Sequence, residues 1–381
     1  MLIRPHWILA ALLLVAPSCG KRHAVGFDAT SGLDAALVPD LPPRSDLPPI
    51  PDSRIRELGP KPDARPPDLA MAPDLPPPDL QAPDGPPPAS WVEVATPPGV
   101  LNDVWGSSST DVFAVGKAGL VMRYQGGGWS KMGNTTTMDL EGVWGASASQ
   151  IFAVGDVGDL FFDGSSWQSS GYNQSFVDVW GAAGGTLVFG ISSVSPYNQI
   201  RYKQISAGSA YWSSVVISNL TQESLNALWL LSDGELFAVG DNGTIVRCKS
   251  SSCTTGSGSG TGWTVMTSGT TSHLTDVWGF SSTEVFAVGL GGTILRYDGT
   301  SWSKMTTGTS TYFYGVWGSS PSDVYAVGHP LFKQDESIFH YDGVSWSKMP
   351  PPKVSYPNAV WGASATEVFV VGNFNILKLK P

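Results

Sequence analysis

From residue 90 to the C-terminus, short apolar runs alternate with polar turns, and the whole pattern repeats. The clearest copies are DVWGFSSTEVFAVGLGGTILRYDGTSWSKM (276–305) and GVWGSSPSDVYAVGHPLFKQDESIFHYDGVSWSKM (315–349). Each copy holds four β-rich runs separated by turn residues: x-V-W-G, D-V-F-A-V-G, I-L-R-Y and S-W-S-K-M. The run Val285-Phe286-Ala287-Val288 is continuously apolar, as in a strand covered on both faces, whereas alternation would predict one exposed face. Glycines at the turns, as in Asp241-Asn242-Gly243 and Gly291-Gly292, suit tight hairpins.

The first tryptophan of each unit falls at 105, 144, 180, 229, 278, 317 and 361, with spacings of 39, 36, 49, 49, 39 and 44. The second falls at 91, 129, 167, 212, 263, 302 and 346. Four strands per repeat and seven repeats predict an all-β, seven-bladed propeller over 90–381. The array starts at Ser90-Trp91-Val92-Glu93-Val94, a lone fourth run, and stops at Asn375-Ile376-Leu377-Lys378-Leu379, a third. The N-terminal strand is therefore expected to complete the C-terminal blade and close the ring. Two units are degenerate: Leu187-Val188-Phe189-Gly190 replaces D-V-F-A-V-G in the third, and Leu230 replaces the glycine after Trp229 in the fourth.

Upstream the pattern changes twice. Residues 1–18 join Arg4 to an apolar stretch from Trp7 to Ala16, which is a secretory signal too short to span a bilayer. Small residues ending at Cys19 resemble the lipobox of bacterial lipoproteins, which would make Cys19 the lipidated first residue of the mature chain. Ala16 stands where that family usually has leucine, and Pro17 follows, so ordinary signal-peptidase cleavage stays open. Over 19–89 the expectation is a disordered stalk. Residues 38–88 hold 18 of the 30 prolines, and extended polyproline geometry gives them a reach of up to about 160 Å.

Composition excludes several functions. With 22 basic against 32 acidic residues the net charge is -10, which disfavours nucleic-acid binding. Three cysteines and five histidines without close ligand spacing give no metal site, and no cofactor is expected. Cys248 and Cys253 are expected to pair outside the cytoplasm, stapling a hairpin for about 2 kcal/mol; two free thiols are the alternative.

The hairpins Asp163-Gly164-Ser165-Ser166-Trp167, Asp298-Gly299-Thr300-Ser301-Trp302 and Asp342-Gly343-Val344-Ser345-Trp346 resemble the Asp-box of bacterial neuraminidase propellers. The whole unit is similar to those of secreted bacterial repeat propellers. The resemblance implies the fold; the Asp-box lies away from the active site in that family and carries no activity over. Here it is one residue shorter than usual. A sialidase-type site needs an arginine cluster, but Arg123, Arg201, Arg247 and Arg296 occupy one repeat position, with His340 and Lys378 in the last two blades. They read as partners for the acidic starts of neighbouring strands (Asp111, Glu284, Asp323, Glu367). Catalysis is therefore unsupported, and no catalytic residue is assigned.

Loops that break the repeat are where function is expected. Between blades they carry Tyr172, His273, Tyr312, Phe313, Tyr314 and Tyr356; within blades, Asp156, Tyr197, Asp241, His329 and Phe374. These are the candidate ligand contacts. The expected protein is exported and lipid-anchored, a monomer at the bacterial outer membrane or cell surface, otherwise secreted. It is expected to recognise an envelope protein or polysaccharide. The alternatives are a carbohydrate-active hydrolase or lyase, and an assembly scaffold.

Overall fold

A computed structural model describes residues 89–380 except 134–135, 157, 183, 194–198, 206–210, 216–220, 250–252, 255–261, 331–336 and 351–355. The expected signal, Cys19 and the expected stalk lie outside the described residues. Seven four-stranded antiparallel sheets form seven blades, numbered here along the chain with strands counted from the innermost outward. The first strands are Leu101–Ser108, Leu140–Ser147, Phe176–Gly181, Leu225–Leu230, Leu274–Ser281, Tyr312–Ser320 and Pro357–Ser364. In blade 7 the outermost strand is Ser90–Ala95, paired antiparallel with Ile376–Lys380, so the N-terminal strand closes the ring as the repeat count requires.

Second strands are apolar on both faces because neighbouring blades cover both: Val285, Phe286, Ala287 and Val288 are all fully buried. The glycine of V-W-G has a separate reason. A Cβ on Gly145 would lie 2.6 Å from the ring of Trp105, and Gly106, Gly181, Gly279 and Gly362 are filled in the same way by Trp361, Trp144, Trp229 and Trp317. Each glycine is thus the socket for the tryptophan of the preceding blade. Two sockets are closed. Leu230 stands where blade 4 should offer one to Trp180, and Phe280 occupies Gly318 in place of Trp278. Trp180 and Trp278 instead line the central channel and meet edge to face at 5.7 Å and 86°.

Every first strand shifts register near its start, after one pair in six blades and after two in blade 6, a bulge that repeats in all seven blades. Aspartates of blades 1, 3 and 5 bond the backbone beyond the bulge in the next blade. Asp103 accepts the Val143 N–H (2.8 Å), Asp178 the Leu228 N–H (2.8 Å) and Asp276 the Val316 N–H (2.9 Å). The matching place in blades 2, 4, 6 and 7 holds Gly142, Ala227, Gly315 and Ala359.

The side of the ring where first strands end, called the lower face, is built from repeated parts. Asp163, Asp298 and Asp342 each accept two backbone N–H bonds across their turn, which hold the carboxyls below the usual range. The basic residue of the third strand pairs with the acid that begins the adjacent second strand: Arg123–Asp111 (2.7 Å), Arg296–Glu284 (2.5 Å), His340–Asp323 (2.7 Å) and Lys378–Glu367 (2.6 Å). Arg247 does the same with Glu235. Arg201 departs, bonding Ser192 and Ser214, because the second strand of blade 3 starts at Leu187 with no acid.

Candidate functional site

The opposite, upper face is assembled by one backbone device. The glycine ending each A-V-G strand pairs with the first apolar residue of its inner strand, as in Leu101↔Gly116, Leu140↔Gly155 and Leu274↔Gly289. The next N–H then bonds the carbonyl just before that strand: Lys117 to Val100 (3.0 Å), Asp156 to Asp139 (3.0 Å), Asp241 to Ser224 (2.9 Å) and Leu290 to His273 (3.0 Å). A Cβ on any of these glycines would collide with that carbonyl oxygen. The backbone is thereby fixed while the side chains on either side of the contact are free to differ.

They do differ, and they meet across blade boundaries. At the blade 1/2 junction Lys117 Nζ lies 2.8 Å from Asp139 and 3.0 Å from Glu141, and Asn102 donates to both the Leu140 carbonyl and Glu141. At the 4/5 junction Asp241 accepts from Asn226 (2.9 Å) and lies 2.9 Å from His273 Nδ1. At the 6/7 junction His329 sits between Tyr314 (4.7 Å) and Tyr356 (4.8 Å, edge on). Asn226, Thr275 and Asn358 bond the inner-strand carbonyls of the following blade at Leu274, Phe313 and Leu101. Tyr356, Ala118 and Asn242 are the described non-glycine residues in left-handed backbone, and all three lie on this face. For a bulky tyrosine that conformation is strained and persists only where its surroundings hold it.

Charge at the first junction is pH-sensitive. Burial pushes the Glu141 carboxyl up to about 7 against the pull of Lys117, with Asp156 and Asp139 adding to the rise. Asp139 goes the other way: despite partial burial, the Lys117 ammonium and the Ala118 N–H hold it low. The folded chain keeps a proton on Glu141 that the unfolded chain releases near the ordinary carboxylate value. Stability is therefore fully present below that value and falls as pH rises through about 7. The loss between pH 5 and 8 is expected to be on the order of 2 kcal/mol, read by urea unfolding at each pH, and to shrink in Glu141→Gln.

The sequence candidates divide. Asp156 is exposed, Phe374 is 60% exposed, and Asp241, His273, Tyr312 and Tyr356 are half-buried, all on the upper face. Tyr172 is half-buried, its hydroxyl donating to Gln174 (3.0 Å) and its ring facing Phe176. Four placements need correction. Tyr312, Phe313 and Tyr314 belong to the inner strand of blade 6, not to a loop, with Phe313 and Tyr314 0% and 1% exposed; His329 ends a strand at 6%. The hairpin there runs one pair further, to Tyr312↔His329, and Phe313 fills the leucine position of other blades. Phe313 therefore presents no surface to a ligand. Tyr197 lies outside the described residues. The sulfurs of Cys248 and Cys253 are bonded, with Cα atoms 5.6 Å apart. Sequence reasoning missed Asn102, Lys117, Asp139 and Glu141. Their signal was positional: three and five residues before the first tryptophan, and one after A-V-G, side-chain type changes from blade to blade.

No protein-family model and no curated protein matches the sequence. Solved structures match in shape. A structure described as YCF48 bound to D1 peptide is 17% identical, with a TM-score of 0.58 over 77% of this chain and 97% of that one. YCF48 from Cyanidioschyzon merolae is 16% identical, with a TM-score of 0.56 over 77% and 99%. The WD40 propeller domain of Doa1 is 12% identical, with a TM-score of 0.59 over 76% and 96%. The chain shares their β-propeller fold.

Proposed function

We propose that this propeller is a recognition module that binds a polypeptide through its upper face, and that the chain is exported and held at the bacterial envelope by a lipid on Cys19. One observation carries the binding reading. Equivalent places on the upper face hold Lys117, Asp156, Asp241 and His329 in different blades, whereas the lower face repeats one turn and one ion pair. A rigid ring with one constant and one individual face is suited to recognition. The mixture of charge, amide and aromatic groups fits a protein surface better than a sugar polymer. The peptide-bound YCF48 structure offers a precedent for a propeller that holds a peptide.

The test places a photo-crosslinking phenylalanine analogue in the full chain, in exporting cells, at Phe374, at Met138 (45% exposed) or at Val344 on the lower face (88% exposed). One polypeptide adduct shared by Phe374 and Met138 and missing from Val344 is expected. Equal capture at Val344, or none at the upper positions, overturns the reading. In the same cells Cys19→Ser should release the chain from the membrane fraction, and unchanged retention removes the anchor.

A further inference from the structure

The outermost strand of a propeller blade is a sheet edge, and three blades guard theirs with the same residue. Trp129-Ser130-Lys131, Trp302-Ser303-Lys304 and Trp346-Ser347-Lys348 each place a lysine two residues after the tryptophan, exposed at the rim. Lysine on an edge strand opposes pairing with another chain, since docking a strand there would strip water from its charge. Blade 7 has Glu93 in that place and blades 2 and 3 have Ser169 and Ser214, whereas blade 4 has an apolar residue there. Its outermost strand, Trp263–Met266, has Val265 in that place, 51% exposed.

The edge is also in register to receive a strand. Trp263–Met266 pairs on one side with Ile245–Cys248, and no described strand pairs its other side. Lys249 N–H donates to the Gly262 carbonyl (3.4 Å). Alternation along the ladder then turns the N–H and C=O of Trp263 and Val265 away from the sheet. Beside the edge a shallow, open groove of ≈ 680 Å³ runs toward the upper face, lined by residues including Asn242, Thr244, Val265, Met266, Ser268 and Thr270, none of its lining residues charged. The Cys248–Cys253 bridge anchors the end of the strand on which the edge is laid.

We infer that the outer edge of blade 4 is a second binding surface, which accepts an extended polypeptide by strand addition. Main-chain bonds to Trp263 and Val265 would hold it, with its side chains running into the groove. The groove specifies the occupant. A charged side chain would find no counter-charge along this lining, so the segment is uncharged, and Val265 with the threonine walls suits β-branched side chains. The groove reaches the upper face at Asn242, but the strand edge at Trp263 and Val265 is distinct from the upper-face contacts proposed above and stands without them.

The test pans a phage library of random nonapeptides on the immobilised full chain after depletion on Val265→Lys. Uncharged peptides rich in valine, isoleucine and threonine are expected to survive. As synthetic peptides they should bind about 10-fold or more weakly to Val265→Lys and to Val265→Pro, which lacks the outward N–H. Phe374→Ala should bind them unchanged, which separates this surface from the upper face. Val265→Lys copies a residue that blades 1, 5 and 6 already carry, so it tests the edge without threatening the fold. Failure to enrich beyond the depleted pool, or equal binding by both edge variants, overturns the inference. So does a concentration-dependent dimer abolished by Val265→Lys, which would assign the edge to a second copy of the chain.

Discussion

Asp159→Ala is expected to lower the unfolding free energy by about 3–5 kcal/mol, because it leaves a buried ammonium without its counter-charge. Asp159 is 1% exposed in the third strand of blade 2. It accepts from Lys203 Nζ (3.1 Å) and Trp212 Nε1 (3.0 Å), both of blade 3, and from Ser170 Oγ (2.5 Å). Lys203 is itself buried, 5.8 Å from the Phe152 ring and 5.9 Å from that of Trp212. The aspartate therefore satisfies three donors and joins two blades at a place where neither repeats the standard sequence. Urea unfolding of the full chain followed by tryptophan fluorescence gives the loss. Adding Lys203→Met removes the stranded charge and should recover a large part of it; a single variant within 1 kcal/mol of the parent would mean water reaches Lys203 and the pair is not a stake in the fold.

Trp91→Ala should cost a similar 3–5 kcal/mol through the cavity alone, and more through the ring. Trp91 is 3% exposed and meets Tyr325 of blade 6 edge on at 5.9 Å, while its strand completes blade 7. Trp302→Ala in blade 5 removes the same side chain from the same repeat position but leaves the closure untouched. The difference between the two losses measures what closure contributes. Trp91→Ala is expected to exceed Trp302→Ala and to admit protease at the C-terminal strand Ile376–Lys380 under native conditions. Equal losses with no new cleavage would show that the outer strand merely covers blade 7.

The ring was legible in the sequence because its determinants are periodic: a tryptophan, its socket glycine and an apolar second strand recur wherever a blade needs them. The ion pairs of the third strand were legible for the same reason, and Arg201 departs where the acidic start of its second strand is missing. Individual features were harder to read. Phe313 and Tyr314 looked like loop aromatics because one blade extends its inner hairpin by a single pair, and pairing length is not encoded in residue type. Glu141, Lys117 and Asp139 sit at unremarkable places in their own blades; only the packing of blade 1 against blade 2 brings them together. The turning of Trp180 into the channel depends on Leu230, which is 50 residues away in sequence and belongs to the next blade.

The channel aspartates have a consequence for how such an array can change length. Asp103, Asp178 and Asp276 each serve the backbone of the following blade, whose own matching residue is glycine or alanine. Blades 1–2, 3–4 and 5–6 are thus donor and acceptor couples, and blade 7, with Ala359, is the unpaired remainder. Copying one couple in tandem reproduces every carboxylate with its amide. Copying a single odd blade instead places two carboxylates in adjacent blades of the channel wall, with no glycine or alanine position between them. The unit whose duplication keeps the channel carboxylates apart is therefore two blades, even though the unit that recurs along the chain is one.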